Sequence, residues 1–343
     1  MDWVGLPKIE LHAHLSGSIS RQCLHEVWLT KKEAGETNLT DPLIEMPDGK
    51  HDYDLKTFFP LFSSYIYHLV NDLPALKHTT LSVLRDFAQD GVVYLELRTT
   101  PRALPRSNLS KADYIAAILD VIHTFESSSP ATTLHTKLIL SVDRRNTLEE
   151  ALEVIQLART FKDQGVVGVD LCGDPARGGI KALQPAFEEA RGIPGLGVTL
   201  HFAEAEASGS DEELLMLLRE WKPDRIGHVI HVSDRVKEEI IRYPGGLGLE
   251  LCLSCNVHAG MISGGFEAHH FGEWWKADEC TVVVCTDDVG VFGSPVSNEY
   301  RLVAEHFGLS ESEIRALARK GIDVIFGGPE EKQRLRDIMG SVP

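Results

Sequence analysis

Eight apolar, strand-like runs recur along this chain, at residues 9–15, 92–99, 137–143, 166–171, 198–203, 225–231, 247–253 and 281–286. Between most of them lie segments such as 148–162 and 212–220, whose apolar residues fall three and four apart, the spacing of an amphipathic helix. Eight strands alternating with helices predict an α/β fold of the (β/α)8 type, a TIM barrel, with a doubly wound sheet as the alternative. The 343 residues are many for one domain, yet such barrels carry insertions, and no shift in composition divides the chain. A single barrel domain over residues 1–343 is expected.

The interval between the first two runs is too long for one crossover. It predicts a helical insertion at about 17–85, with Leu55, Phe58, Phe59, Phe62 and Ile66 on one helical face. That face is expected to pack on the barrel, and part of the insertion is placed to cover its mouth. Residues 127–130 read as a loop rather than a linker, and no internal repeat is present.

Polar chemistry collects where the strands end. His12 and His14 close the first run and, two apart on a strand, point to the same face. The fifth run ends in His201 and leads to Glu204, the sixth carries His228 and His231, and the eighth leads into Asp287 and Asp288. In a barrel these ends meet at the C-terminal face, where active sites sit. His12, His14, His201 and Asp287 offer three nitrogens and a carboxylate oxygen, a donor set for zinc or a related divalent ion, with water completing the coordination. Such a water has its pKa lowered from about 15.7 toward about 7, so the site is hydrolytic in character.

Ligands from three distant segments disfavour a structural zinc site, which usually uses cysteine pairs at close spacing. Cys252 and Cys255 have that spacing without a second pair and read as buried or pocket-edge thiols. His25, His51, His78, His123, His135, His231, His258, His269 and His270 read as ordinary hydrogen-bonded histidines. His228 and Glu204 differ from these in their nearness to the proposed ligands.

Composition narrows the function classes. A formal net charge of -17 argues against a general nucleic-acid binder, which needs Lys and Arg to displace counterions, but leaves room for one local phosphate pocket. Six cysteines without a dense framework suit free thiols in a reducing compartment. No basic, apolar leader and no apolar run of membrane-spanning length appears, so a cytoplasmic protein without membrane partners is expected.

Several blocks resemble the adenosine and AMP deaminase family: residues 6–15 around His12-Ala13-His14, 170–174, 201–204, 225–228 and 285–288, in the family's order. Residues 92–102, 140–145 and 289–292 are similar to the adenosine deaminase-like subgroup that acts on N6-methyl-AMP. The resemblance implies that His12, His14, His201 and Asp287 hold one zinc ion per chain, which activates water for attack at purine C6. Glu204 would protonate N1 from a protonated carboxyl, His228 would orient the attacking oxygen and assist its deprotonation, and Asp288 would bond that oxygen or N7. The Gly173 N–H would meet N3, where a side chain would obstruct the ring. Methylamine or ammonia would leave, giving IMP or inosine. The His-x-Glu and Pro-Cys-x-x-Cys signature of cytidine-type deaminases is absent.

The phosphate distinguishes the substrates. Adenosine deaminases carry aspartate after His-x-His-Leu, where it serves the ribose, and this chain has Ser16. A carboxylate there would repel a dianionic phosphate, whereas a hydroxyl would not. The subgroup usually has asparagine at that position, and a glycine where Ala203 precedes Glu204, so shifts in affinity or rate are expected. The resemblance further implies substrate contacts at His14, Ser16, His68, Thr99, Thr100, Pro101, Arg102, Asp143, Gly173 and Asp288. A small-molecule purine nucleotide is the expected partner, bound by a monomer. The alternatives are a nucleoside-specific adenosine deaminase, a two-metal amidohydrolase, disfavoured because run 166–171 has no bridging lysine, and a non-catalytic nucleotide-binding relative.

Overall fold

The computed structural model describes residues 1–47, 49, 55–128 and 133–340. His51, Ser129, Pro130 and the side chain of Leu55 lie outside the described residues. Eight parallel strands follow chain order, each hydrogen-bonded to the next: β1 Lys8–His14, β2 Val92–Thr99, β3 His135–Asp143, β4 Val166–Cys172, β5 Gly197–Phe202, β6 Arg225–His228, β7 Leu247–Leu251 and β8 Cys280–Val284. A parallel bridge between Ala13 and Asp287 joins the end of β8 to β1, with His14 N donating to Asp287 O at 3.2 Å and Asp287 N to His12 O at 2.8 Å. The eight predicted runs are the eight strands of the barrel.

Three strands stop two or three residues sooner than their apolar runs. The sixth run extends to His231, but β6 ends at His228, where φ is +64°, followed by Val229 at +58°. The seventh gives way to helix Leu253–His258, and the eighth turns at Asp287, φ +62°. Left-handed backbone at non-glycine residues is costly, and here it falls where strand ends must aim side chains. Apolar patterning could not anticipate it, because each of these turns remains buried.

Within the barrel the pattern is the reverse of a hydrophobic core. Ile9, Leu11 and Ala13 of β1 pack outward, while the alternate residues Lys8, Glu10, His12 and His14 share the opposite face. Glu96 and Arg98 of β2, Asp170 of β4, Arg225 of β6 and Glu250 of β7 are fully buried and bonded to one another across the axis. At the N-terminal end of the barrel, Phe326 lies under the Arg225 guanidinium at 3.6 Å, and its backbone N–H donates to Glu96 at 2.5 Å.

Helices Arg21–Glu33, Pro42–Glu45, Leu55–Leu61, Tyr67–Leu69 and Leu73–Gln89 fill the interval between β1 and β2, the last serving as the crossover. A π-helical turn at Phe62–Ile66 breaks the predicted single face. Phe58 and Ile66 are buried in the core, and Phe58, Phe59 and Phe62 line the cavity at the mouth of the barrel. Ser127 and Ser128, read as loop, instead finish helix Lys111–Ser128. Among the described residues no helix is long and apolar enough to cross a membrane.

Candidate active site

The strand ends bring His12, His14, His201 and Asp287 together at the C-terminal face. His201 Nε2 stands 3.2 Å from His12 Nε2 and 3.1 Å from His14 Nε2, with Asp287 Oδ1 3.5 Å from His14 Nε2 and 3.9 Å from His12 Nε2. Nitrogens at about 2.0–2.1 Å from a tetrahedral zinc are separated by roughly 3.3–3.4 Å, so the spacing suits one such ion. Lone pairs crowded this closely repel unless a cation or proton lies between them.

Two of the three rings are turned by a partner behind them. His12 Nδ1 is 2.7 Å from Glu250 Oε2, and His201 Nδ1 is 3.1 Å from Asp170 Oδ1. These carboxylates put the ring protons on Nδ1 and leave Nε2 free to coordinate. Arg98 reaches both, at 2.8 Å from Glu250 and 3.4 Å from Asp170. Burial alone would raise Glu250 and Asp170, yet Arg98 and Arg225 hold the first in its charged form, and His201 and Arg98 the second. Burial likewise lowers His14 to about 3, favouring a neutral ligand. His201 is pulled down by burial and up by Asp170, with a net rise, so a cation here would displace a proton.

Asp287 carries the opposite balance. Burial raises it, but His228, His12, His14 and His201 together hold it well below the usual carboxylate range. The Cys255 thiol, kept protonated by burial, donates to Asp287 Oδ2 at 2.9 Å. The six cysteines are free, as expected, and all are buried; Cys255 also helps orient a candidate ligand.

Above the cluster lies a cavity that is partly open to solvent. His14, Ser16, Thr99, Thr100, Asp143, Gly173, Glu204 and Asp288 line it, all among the residues singled out in the sequence. Asp288 is pushed well up by burial and then by Asp287 and Glu204, and its Oδ1 is buried without a protein partner. His228 lies fully buried beneath, its Nε2 3.8 Å from Asp287 Oδ2 and 4.0 Å from Glu204 Oε1. Gly173, at φ +96°, could not carry a side chain because a Cβ would meet the Asp143 carboxylate at 2.8 Å. The obstruction is therefore with Asp143, before any ring is considered. Gly227 is similarly required, since a Cβ there would come within 2.4 Å of His12.

Three expected substrate contacts are not brought to this cavity. His68 is exposed, its Nδ1 2.9 Å from the Ser64 carbonyl. Its neighbour Tyr67 lines the wall instead and bonds Ser16, because the π turn rotates the following residues. Pro101 is buried outside the lining, and Arg102 donates to Val70 O at 2.7 Å with its guanidinium 4.6 Å from the Tyr67 ring. Arg145, to which the sequence reading gave no role, lines the rim in a two-point pair with Asp143 at 2.8 and 2.6 Å. Glu250, behind His12, carries no motif of its own, and a lone carboxylate inside the apolar run 247–253 is its signal in the sequence.

Comparison with known proteins places this geometry. The family model described as "Adenosine deaminase" matches residues 7–342. An N6-mAMP deaminase from Arabidopsis thaliana is 38% identical, covering 99% of this chain and 98% of that protein. An N6-methyl-AMP deaminase from Danio rerio is 35% identical over 96% of this chain and 93% of its own. The solved structure of Arabidopsis ADAL complexed with IMP superposes with a TM-score of 0.90 at 37% identity, covering 99% of this chain and 98% of that one. Because the likeness runs through every strand end that carries the cluster, the chain belongs to the adenosine deaminase family.

Proposed function

We propose that this chain is a zinc-dependent hydrolase converting N6-methyl-AMP to IMP and methylamine. The observation that carries this reading is the convergence of three imidazole Nε2 atoms and Asp287 on the floor of a cavity walled by Glu204 and Asp288. Bound zinc would lower the pKa of a water toward about 7, supplying hydroxide at neutral pH.

The chain's own groups do the rest. Glu204 gives a proton to purine N1, which draws electrons from C6 and opens it to attack. His228 and Asp288 orient the attacking oxygen, and the unpartnered Asp288 Oδ1 is available to it. The Gly173 N–H meets N3. Phe59 and Phe62 cover the mouth and exclude water from the base. Addition at C6 forms a C–O bond, and breaking the C6–N6 bond releases methylamine once N6 has taken the proton of the added hydroxyl, which leaves the C6 carbonyl of IMP.

The phosphate belongs at the rim. Ser16 and Thr100 bring hydroxyls to the cavity, and Arg145 adds a cation. The names of the relatives and the IMP complex of one of them support a nucleotide over a nucleoside. One zinc per monomer in the cytoplasm completes the reading.

A panel of N6-methyl-AMP, AMP and adenosine tests it, with products identified by chromatography. N6-methyl-AMP is expected to give IMP at the highest kcat/KM; a preference for adenosine would overturn the reading of Ser16. Glu204→Gln is expected to lower turnover by at least about 100-fold, the lower end of general-acid effects, with zinc retained. Unchanged turnover would remove Glu204 from this role.

A further inference from the structure

His228 ends a buried hydrogen-bonded chain that runs away from the reaction centre. Its Nδ1 is 2.9 Å from the side-chain amide of Asn256. The other end of that amide is 3.0 Å from His269 Nε2, and the Phe271 backbone N–H donates to His269 Nδ1 at 3.0 Å. Asn256, His228 and His269 are all buried, so water does not compete for these bonds.

One member of this chain has a fixed direction. A backbone N–H donates and cannot accept, so His269 Nδ1 must be the acceptor. A neutral imidazole has a single N–H, which for His269 is then on Nε2, facing Asn256. Burial lowers His269 to about 2, so its ring is neutral. With Asn256 Oδ1 toward His228 and Nδ2 toward His269, both His269 nitrogens would have to accept, which requires an imidazolate. A half-turn of the amide exchanges its two ends in nearly the same positions and removes the conflict. The oxygen then accepts from His269 Nε2–H, and the NH2 donates to His228 Nδ1.

We infer that Phe271 N–H, His269 and Asn256 form a positioning relay that fixes His228 as the Nε2–H tautomer. His228 therefore meets the attacking water as a hydrogen-bond donor rather than as its base. Its Nε2 is buried with no protein partner and faces Asp287 and Glu204. His270 supports the same residue from the other side, its Nε2 donating at 2.6 Å to the His228 carbonyl and steadying the turn at φ +64°. The adjacent pair His269 and His270 thus holds both the ring and the backbone of one active-site histidine. The inference rests on the reading above for what His228 faces, but the tautomer itself does not depend on any substrate.

Long-range ¹H–¹⁵N spectra of the zinc-loaded protein, labelled in its histidine ring nitrogens, test the relay directly. The His228 signals are identified by their loss in His228→Gln. The expected spectrum has the His228 and His269 protons on Nε2; a His228 proton on Nδ1 in the wild-type protein overturns the inference. Asn256→Asp supplies a carboxylate that accepts from both rings, so the His228 proton is expected to move to Nδ1 with zinc retained. Turnover should then fall about 100-fold or more, since a wrong tautomer lowers kcat by about 10⁴ in a serine protease. An inverted tautomer with wild-type kcat would equally overturn the inference. Absence of N6-methyl-AMP turnover in the wild-type protein would strike the proposed function and leave the spectrum unchanged.

Discussion

Glu250 contacts no solvent and lies outside the cavity lining, yet His12, Arg98, Arg225 and Thr199 all bond its carboxylate. Removing its charge leaves two buried arginines short of a partner and frees the His12 ring to turn. Glu250→Gln is therefore expected to weaken zinc binding by about 10–100-fold, measured by competition with a chromophoric chelator. Wild-type affinity would mean that packing alone orients His12. Ala203, where the resemblance leads one to expect glycine, takes φ +52°. The left-handed strain on alanine, about 1–2 kcal/mol, is partly offset by the 0.4–1 kcal/mol of unfolded-state freedom that glycine would restore. Ala203→Gly is accordingly expected to raise stability in urea by about 0–1.6 kcal/mol; a loss would mean that the methyl group packs in a way that outweighs the strain.

Among the elements, helix Leu253–His258 carries both Cys255, which bonds Asp287, and Asn256, which bonds His228. Glu299 of helix Val296–Phe307 holds it in place, accepting from the Ser254 backbone N–H at 3.1 Å and from the hydroxyls of Ser254 and Ser294. Burial pushes the Glu299 carboxyl from 4.5 up to about 7, against the lowering effect of these bonds. A raised carboxyl pKa means that the folded state binds the proton more tightly. Its contribution is full below about pH 4.5 and is lost as pH rises through about 7, with an upper bound of about 3 kcal/mol. Glu299→Gln should flatten the dependence of unfolding free energy on pH between 5 and 8; an unaltered slope would show that other groups dominate it. The insertion carries a different lesson. Apolar spacing identified helical structure there, but the π turn at Phe62–Ile66 brings Tyr67 to the cavity and leaves His68 outside it.

Over the whole molecule, the parts legible in the sequence are those governed by period and position. Alternating runs gave eight strands in order, and polar residues at their ends gave the cluster of His12, His14, His201 and Asp287. What stayed hidden depends on contacts across the barrel. Arg98, Asp170 and Glu250 come from three strands far apart in the chain, and no local pattern joins them. His269 and His270 look like ordinary histidines until Asn256 and the His228 carbonyl lie beside them. The same polar interior links the remote Phe326 segment through Glu96, Arg225 and Glu250 to His12, so the site is braced from the opposite end of the barrel. One metal ion in this cluster is expected to support the chemistry. Titrating zinc into metal-free protein while following IMP release from N6-methyl-AMP tests it most directly. Activity should rise linearly and saturate at one zinc per chain, whereas full activity without metal, or saturation only at two, would contradict it.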